Sequence, residues 1–394
     1  MIKCDHRFQI TIKCDSQKHK KKIDNRSQKH KKKLEWKPKG MLAVSAGGDK
    51  CAYVLGYLTA IMALRKRKYN CSNDQTVYVN MCGTSAGAIL CAKFLQYLDN
   101  PCQFDKAVVT LFNSLSHKKL VDRWNPFGFF LNAIESVFFH GSLYRNNLPA
   151  KIKDMLNLQT TSDMYKDHNL SIGVWNLNKM EYETLINPED LELAVTASAS
   201  VPFIFEPVEI EGQLYVDGGV GHVIPVLEII KWCETVKEDA EKDDAENIEE
   251  HLDIMVCYPI EQESFTASLY TTTSHKMMNN GQLALYGVLW TNLHNDLQIL
   301  NEYFNINIEE NRYFICKLNE KTKLHVRVFA PSTPILSDFL DINVDVLNTM
   351  KEDGECIAKT LLECELECEL ECELECEHMV MLNQTEQNKY NLRF

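Results

Sequence analysis

One serine of the chain lies between two glycines in a spacing that suits a catalytic nucleophile. Gly83-Thr84-Ser85-Ala86-Gly87 follows a short apolar segment and precedes the apolar residues 88–90. A serine on a sharp strand-to-helix turn points its hydroxyl outward, and neighbours without bulk let the backbone turn so tightly. The positive N-terminal end of the following helix faces the negative charge that develops during acyl transfer. The pattern predicts a nucleophile elbow, although many glycine turns are purely structural.

A second glycine turn comes earlier in the chain. Residues 41–45 are a short apolar run that predicts a buried strand, and residues 51–64 predict an apolar helix. Between them lies the glycine loop Ala46-Gly47-Gly48-Asp49-Lys50. A strand, a glycine turn and a helix N-terminus together present backbone N–H groups to an anion, either a phosphate or an oxyanion. The spacing fits neither nucleotide-binding fingerprint, G-x-G-x-x-G or G-x-x-x-x-G-K-[ST].

A carboxylate follows a third predicted strand. Residues 213–216 read as a strand that ends on Asp217-Gly218-Gly219, which predicts an exposed carboxylate on a tight turn. Asp-Gly is also a common dipeptide of ordinary turns. Histidines at 140, 222 and 251 leave a Ser-His-Asp triad open as an alternative, although none of them lies in a recognisable motif.

Further strand and helix patterns follow along the rest of the chain. The further strands are predicted at 170–177, 252–258 and 314–329, and the further helices at 89–98, 190–196, 226–233 and 281–304. The acidic stretch 234–250 predicts an exposed helix or a surface insertion. The aromatic segment 120–139 predicts core packing or an apolar surface for an acyl chain or a membrane.

Composition limits the class of protein. The chain has 394 residues, is 45% hydrophobic and carries a net charge of −13, and this acidic balance argues against a nucleic-acid binder. Its 15 cysteines are an odd number, and the N-terminus has no apolar run like a signal peptide, which favours a reducing, cytoplasmic setting. No window approaches the roughly 18 apolar residues of a spanning helix, so any membrane contact is expected to be peripheral.

Both ends of the chain are repetitive. Residues 1–40 contain 14 Lys and Arg against 4 Asp and Glu and repeat short segments, so we expect a disordered basic arm. The arm could contact an anionic membrane or RNA, serve as a nuclear signal, or have no role. A Glu-Cys-Glu-Leu repeat runs over 363–377 and spaces its cysteines four residues apart, as on one face of a helix. Thiolates so placed could bind a soft metal, but a low-complexity expansion explains the repeat more simply. We therefore divide the chain into an arm (1–40), a catalytic domain (41–345) and an acidic, cysteine-rich tail (346–394).

Taken in order, these motifs resemble the patatin-like phospholipase family. The resemblance rests on the glycine loop, the Ser85 elbow, the small residues of 197–202 before Pro202, and Asp217-Gly218-Gly219. It implies a three-layer α/β/α fold with a mostly parallel central sheet and the serine on a strand–helix elbow. It also implies a Ser85–Asp217 dyad, in which the carboxylate takes the serine proton without a histidine. Because the reference pKa of Asp is only about 3.9, such a base is weak at neutral pH unless its site raises that pKa.

The resemblance assigns further roles around the dyad. Gly47, Gly48, Asp49 and Lys50 are expected to form the oxyanion hole, and Gly218 and Gly219 to complete the proton-acceptor motif. The elbow residues beside Ser85 are Gly83, Thr84, Ala86 and Gly87. Two residues depart from the family loop, since Ala46 and Cys51 stand where it normally has glycine. A Cβ at either place would distort a loop that needs positive φ or close packing there.

The function implied is that of a lipid acyl hydrolase, of phospholipase A, lysophospholipase or glycerolipid esterase type, which forms an acyl-enzyme on Ser85. The substrate would be a phospholipid or glycerolipid, with peripheral membrane contact, no cofactor, no metal and no specific nucleic acid. The oligomeric state stays open. An altered glycine loop leaves a second possibility, a catalytically impaired protein that binds lipid or membrane. A serine peptidase is a third.

Overall fold

The computed structural model describes residues 40–69, 78–97, 108–111, 113, 148–157, 165, 168–242, 248–261, 277–331, 344–372 and 380–381. The predicted features that lie outside this part of the chain are residues 1–39 of the basic arm, the aromatic segment 120–139 and His140. The division into arm, catalytic domain and tail stays a prediction.

The described strands form one mixed sheet in the order β10-β8-β9-β7-β1-β2-β3-β6-β5, with β4 paired to β3 outside this path. Its centre is parallel, because β9, β7, β1, β2 and β3 run in the same direction. Hairpin partners add the antiparallel pairs of β8 with β9, β3 with β4, and β6 with both β3 and β5. The strands are β1 Gly40–Val44, β2 Asn80–Thr84, β3 Asn169–Asn176, β4 Glu181–Ile186, β5 Val208–Ile210, β6 Gln213–Asp217, β7 Ile248–Met255, β8 Tyr313–Lys317, β9 Thr322–Phe329 and β10 Val380–Met381.

Seven helices are described, and two short 3-10 turns accompany them at Gly48–Lys50 and Gly218–Val220. The helices are α1 Cys51–Tyr69, α2 Ala86–Leu95, α3 Leu148–Leu156, α4 Leu191–Ser198, α5 Val226–Lys242, α6 Met277–Phe304 and α7 Val344–Cys372. None of these described helices has a stretch long and apolar enough to cross a lipid bilayer.

Strand register brings the three motifs to one edge of the sheet. Val44 at the end of β1 pairs with Gly83 near the end of β2, so the glycine loop and the serine elbow leave neighbouring strands together. Thr84 pairs with Gly173 of β3, and the next residue of that strand, Val174, pairs with Asp217 at the end of the antiparallel β6. In parallel sheets, sites form at this carboxyl edge because the loops there are free to vary.

The long helix α7 packs against α1 at close range. A Cβ on Gly354 would lie 2.3 Å from the carbonyl oxygen of Tyr53, and one on Gly56 would lie 2.2 Å from that of Lys351, so the two backbones touch where both glycines lie. On α7, Leu361 and Leu362 are still buried. The helix therefore contributes to the core at least as far as Leu362.

The α/β fold with a mixed, mostly parallel sheet is as predicted from the sequence. Five elements were not predicted, the strands β4, β5 and β10 and the helices α3 and α7. The acidic stretch 234–250, predicted as an exposed helix or an insertion, belongs partly to α5, which continues to Lys242, and partly to β7, which already begins at Ile248. Charged residues on the outer face of a helix carry no apolar period, so these boundaries are weak in the sequence.

Candidate active site

Ser85 lies on a strained turn between β2 and α2. Its backbone has φ 57° and ψ −123°, a conformation that residues with a side chain rarely adopt. Both flanking glycines pack without room for a side chain, since a Cβ on Gly83 would lie 2.5 Å from the carbonyl carbon of Gly87. One on Gly87 would lie 2.4 Å from the carbonyl oxygen of Val44. The G-x-S-x-G spacing is therefore a steric requirement of this turn.

A second serine supports the elbow from α4. Ser198 is fully buried, and its hydroxyl oxygen accepts the backbone N–H of Ser85 at 2.9 Å. The same hydroxyl donates to the carbonyl oxygen of Gly173 on β3 at 2.6 Å. Ser198 thus links the strained turn to the neighbouring strand. The sequence marked 197–202 only as a run of small residues, and nothing in that pattern identified which serine would be bound.

Asp217 lies beside Ser85 and is 5% exposed. Oδ1 of its carboxyl group accepts the N–H of Gly219 at 2.8 Å. Burial raises the pKa of Asp217 to about 7, and the Ser85 side chain and the Gly219 N–H oppose that shift because they favour the charged form. The sequence predicted an exposed carboxylate. The structure instead buries it, because the turn after β6 is covered by other segments at the sheet edge.

The glycine loop turns through Gly48, which has φ 55°. Ala46 is not the left-handed residue of the loop, so its Cβ does not produce the distortion expected if it were. The N–H of Ala46 donates to the carbonyl oxygen of Val223 at 2.8 Å, and Cys51 begins α1 in an ordinary helical conformation. Both departures from the family loop are accommodated in its backbone.

The charged residues of the loop are paired and buried. Lys50 Nζ lies 3.3 Å from Asp49 Oδ1, and it also lies 5.7 Å from the ring centroid of Tyr258. The N–H of Lys50 donates to the carbonyl oxygen of Gly47 at 3.0 Å, which closes the 3-10 turn. The first N–H groups of a helix have no intrahelical acceptor, so the amides at Gly48 and Asp49 lie where such unpaired donors occur.

The three segments touch one another around Ser85 and Asp217. A Cβ on Gly87 of the elbow would lie 2.7 Å from the carbonyl oxygen of Ser45, next to the glycine loop. A Cβ on Gly219 would lie 3.3 Å from the Cβ of Ala46 and 3.0 Å from Asp217 Oδ1. The structure thus brings together the residue sets that the sequence singled out at 46–50, 83–87 and 217–219.

The two described histidines that were considered for a triad have other partners. His222 Nδ1 lies 2.6 Å from Oδ1 of Asp296 on α6. The ring of His251 stacks on His325 of β9, and in the β7–β1 pairing His251 lies opposite Gly40 at the start of β1, away from the elbow edge.

The fold and the site define an α/β protein with a buried serine on a nucleophile elbow. Residues 42–230 match the family model described as Patatin-like phospholipase. This part of the chain belongs to the patatin-like phospholipase family. No curated protein matches it significantly.

Several solved structures are similar to the chain at low identity. VipD from Legionella pneumophila matches at 13% identity and TM-score 0.32, covering 84% of this chain and 67% of that one. Human GIVD cytosolic phospholipase A2, solved with a methyl gamma-linolenyl fluorophosphonate inhibitor, matches at 9% identity and TM-score 0.43, covering 84% and 59%. ExoU from Pseudomonas aeruginosa, in complex with SpcU, matches at 13% identity and TM-score 0.33, covering 84% and 53%. The chain therefore spans little more than half the length of the last two.

We predict that Ser198→Ala destabilises the protein, because it leaves the buried N–H of Ser85 and the carbonyl of Gly173 without their partner. The expected loss in free energy of unfolding is about 1–3 kcal/mol, measured by denaturant unfolding. Ser200→Ala is the matched control, since its buried hydroxyl donates to the carbonyl oxygen of Thr196 on the preceding helix α4 and not to the elbow. Equal stability of the two variants would contradict the supporting role.

Proposed function

We propose that the chain is a lipid acyl hydrolase that cleaves glycerolipid or phospholipid esters through an acyl-enzyme on Ser85. The observation that carries the proposal is the position of Asp217 beside the Ser85 elbow: Gly173 of β3 pairs with Thr84, the next residue, Val174, pairs with Asp217, and the Ser85 side chain favours the charged form of the carboxyl group. The segment that carries both residues matches the patatin-like phospholipase family. A hydroxyl is a poor nucleophile until a base takes its proton, and Asp217 is the group placed to do so.

The reaction divides into acylation and deacylation. Ser85 Oγ attacks the ester carbonyl carbon while its proton passes to Asp217. The tetrahedral intermediate collapses, and Asp217 returns the proton to the departing alcohol, the lysolipid or glycerol part of the substrate. Asp217 then takes a proton from water as the water attacks the acyl-enzyme, and the fatty acid leaves Ser85 with the hydroxyl restored.

The raised pKa suits Asp217 to this double role. A group whose pKa lies near the working pH both accepts and returns a proton readily, whereas an ordinary aspartate with pKa about 3.9 is a weak base. Burial supplies the shift to about 7. The Gly219 N–H holds the carboxylate oriented while Ser85 approaches it.

Charge that develops on the substrate oxygen needs donors near Ser85. The glycine loop contributes the backbone amides of 47–49, which follow the carbonyl groups of Val44 and Ser45 that the elbow contacts. Lys50 adds a positive charge at the end of this loop. The positive end of α2, which begins at Ala86, also points at this place. A single donor of this kind typically contributes about 3–4 kcal/mol of transition-state stabilisation.

We propose peripheral membrane contact through Phe203. This phenylalanine is 79% exposed and has φ 68°, a conformation that is rare for an aromatic residue. It lies three residues after Ser200, whose carbonyl oxygen accepts the N–H of Asp217 at 2.9 Å. Its Cα is therefore within about 11 Å of that of Ser200, so an exposed aromatic ring lies near the segment that binds the backbone of Asp217.

The first prediction from this function concerns the dyad. Ser85→Ala should abolish fatty-acid release from phospholipid vesicles and labelling by a fluorophosphonate, and Asp217→Asn should lower kcat by about 10²–10⁴-fold because the base is lost. Both variants should melt cooperatively like the wild type, and Ser200→Ala should remain active. Wild-type rates in Ser85→Ala would exclude the proposed mechanism. A folded wild type that binds vesicles but neither hydrolyses nor is labelled would instead support a lipid-binding role.

A second prediction concerns pH. Because Asp217 acts only when deprotonated, kcat/KM on a soluble ester should rise with pH and reach half its maximum near the pKa of about 7. One pH unit below the midpoint the rate should be about tenfold below the plateau. An aspartate of ordinary pKa would leave the profile flat over this range, and a flat profile would contradict the assigned base.

A third prediction concerns the membrane contact. Phe203→Asn removes the exposed ring with a residue that tolerates positive φ, so the melting temperature should hold while activity on vesicles falls several-fold. Activity on a soluble ester should not change. Ile186→Thr is the control, since Ile186 is also exposed (54%) but pairs with Ser171 towards the other end of β3. Equal vesicle activity in both variants would argue against contact at Phe203.

A further inference from the structure

The segment that follows Asp217 is held by one side chain of α6. Asn292 Nδ2 donates to two successive carbonyl oxygens, those of Gly219 at 3.0 Å and Val220 at 2.7 Å. Gly218 and Gly219 have no side chains of their own to fix their peptides, so the backbone here depends on outside contacts. Asn292 supplies such a contact directly behind the turn that carries Asp217.

A second residue of α6, one helical turn further on, holds the other end of the segment. Asp296 is fully buried, and its Oδ2 accepts the N–H of Ile224 at 2.8 Å while Oδ1 lies 2.6 Å from His222 Nδ1. Burial raises the pKa of Asp296 above its usual value, and the hydrogen bond from His222 opposes that rise. Residues 292 and 296 lie on the same face of α6, so one helix face grips the segment at both ends.

Residues 218–224 contact both parts of the proposed site, the base Asp217 and the glycine loop. The N–H of Gly219 donates to Asp217 Oδ1 at 2.8 Å, next to the carbonyl that Asn292 binds. The carbonyl oxygen of Val223 accepts the N–H of Ala46 at 2.8 Å, at the start of the glycine loop. A shift of this segment would therefore disturb the base and the oxyanion loop together.

Helix α6 is itself anchored in the core. Leu293, Leu297 and Leu300 on its inner face are each at most 2% exposed, and Phe304 at its end is fully buried. Residues 218–224 are thus held by a helix that packs into the core, and not by another loop. Supports of this kind keep catalytic groups within a fraction of an ångström of their working geometry.

We propose that Asn292 and Asp296 are positioning residues for catalysis, through which helix α6 fixes the Asp217 turn and the glycine loop relative to each other. The inference rests on the proposed function, since it assigns Asp217 and the loop their catalytic roles. Neither residue needs to touch the substrate. Their effect passes through the Gly219 N–H to the base and through the Val223 carbonyl to the loop.

This role differs measurably from simple stabilisation of a loop. Among the described residues, the pKa of Asp217 is set by burial, by the Ser85 hydroxyl and by the Gly219 N–H, with no charged side chain contributing. Loosening the Gly219 peptide weakens a hydrogen bond that favours the charged carboxylate, so the pKa of Asp217 should rise. A loop with a merely structural role would lower stability and leave the pH profile in place.

The test compares two asparagines of the same helix. Asn292→Ala removes the donor to Gly219 and Val220, and Asn301→Ala removes a side-chain acceptor for the N–H of Ile308 at 2.9 Å, on a turn outside the site. The full chain of each variant is assayed on a soluble ester from about pH 5 to about pH 9, and its melting temperature is recorded. If Asn292→Ala melts below the assay temperature, Asn292→Ser, which keeps one donor, takes its place.

For Asn292→Ala we expect kcat to fall about tenfold with little change in KM, and the acidic limb to move up by about half a pH unit. Asn301→Ala should show a similarly lowered melting temperature, but its kcat and the acidic limb of its pH profile should be those of the wild type. If the wild type is active and the two variants have the same kcat and the same pH profile, the positioning role is overturned and the proposed function is not affected. A wild type without serine-dependent hydrolysis would overturn both, and the Ser85→Ala comparison identifies that case.

Discussion

The site depends on one buried carboxylate. Asp217 is removed from water at the end of β6 with a serine hydroxyl and one backbone N–H as its partners, which is too little to offset the loss of hydration of a full charge. Its pKa therefore rises towards neutrality, so the burial that makes the charged carboxylate costly also suits Asp217 to the proposed role of a base. The strained turn of Ser85, the glycine turn after Asp217 and the loop beside them all serve to bring partners to this one group.

The parallel centre of the sheet determines where those partners come from. Because β1 and β2 are neighbours in register, the glycine loop and the elbow leave the sheet side by side, and the antiparallel β6 delivers Asp217 to the same edge across β3. Ser198 on α4 then connects the elbow to β3. The arrangement is held by backbone pairing, while the side chains that differ from the family loop, Ala46 and Cys51, fit into it without changing its turn.

The part of the protein that supports the site extends beyond the family match. Residues 42–230 carry the three motifs, but α6 begins at Met277 and reaches back to the Asp217 turn through Asn292 and Asp296. Helix α7, further along the chain, completes the packing around α1. Residues outside the recognisable motifs thus provide the packed surface on which the motifs lie. Functional groups in proteins are commonly held in place by such supporting residues.

From the sequence alone, the α/β class and the three short segments of the site were predictable, because each depends on local rules. Gly83 and Gly87 flank Ser85 because the turn between them leaves no space for a Cβ, and the apolar run of β1 marks a buried strand. The short strands β4 and β5 and the extent of α5 lacked such a signal. Only the tertiary structure decided that Asp217 is buried and that Ser198, Asn292 and Asp296 bind the backbone around it. Burial and hydrogen-bond partners are set by contacts between segments far apart in the chain, and no spacing of residues within one segment encodes them.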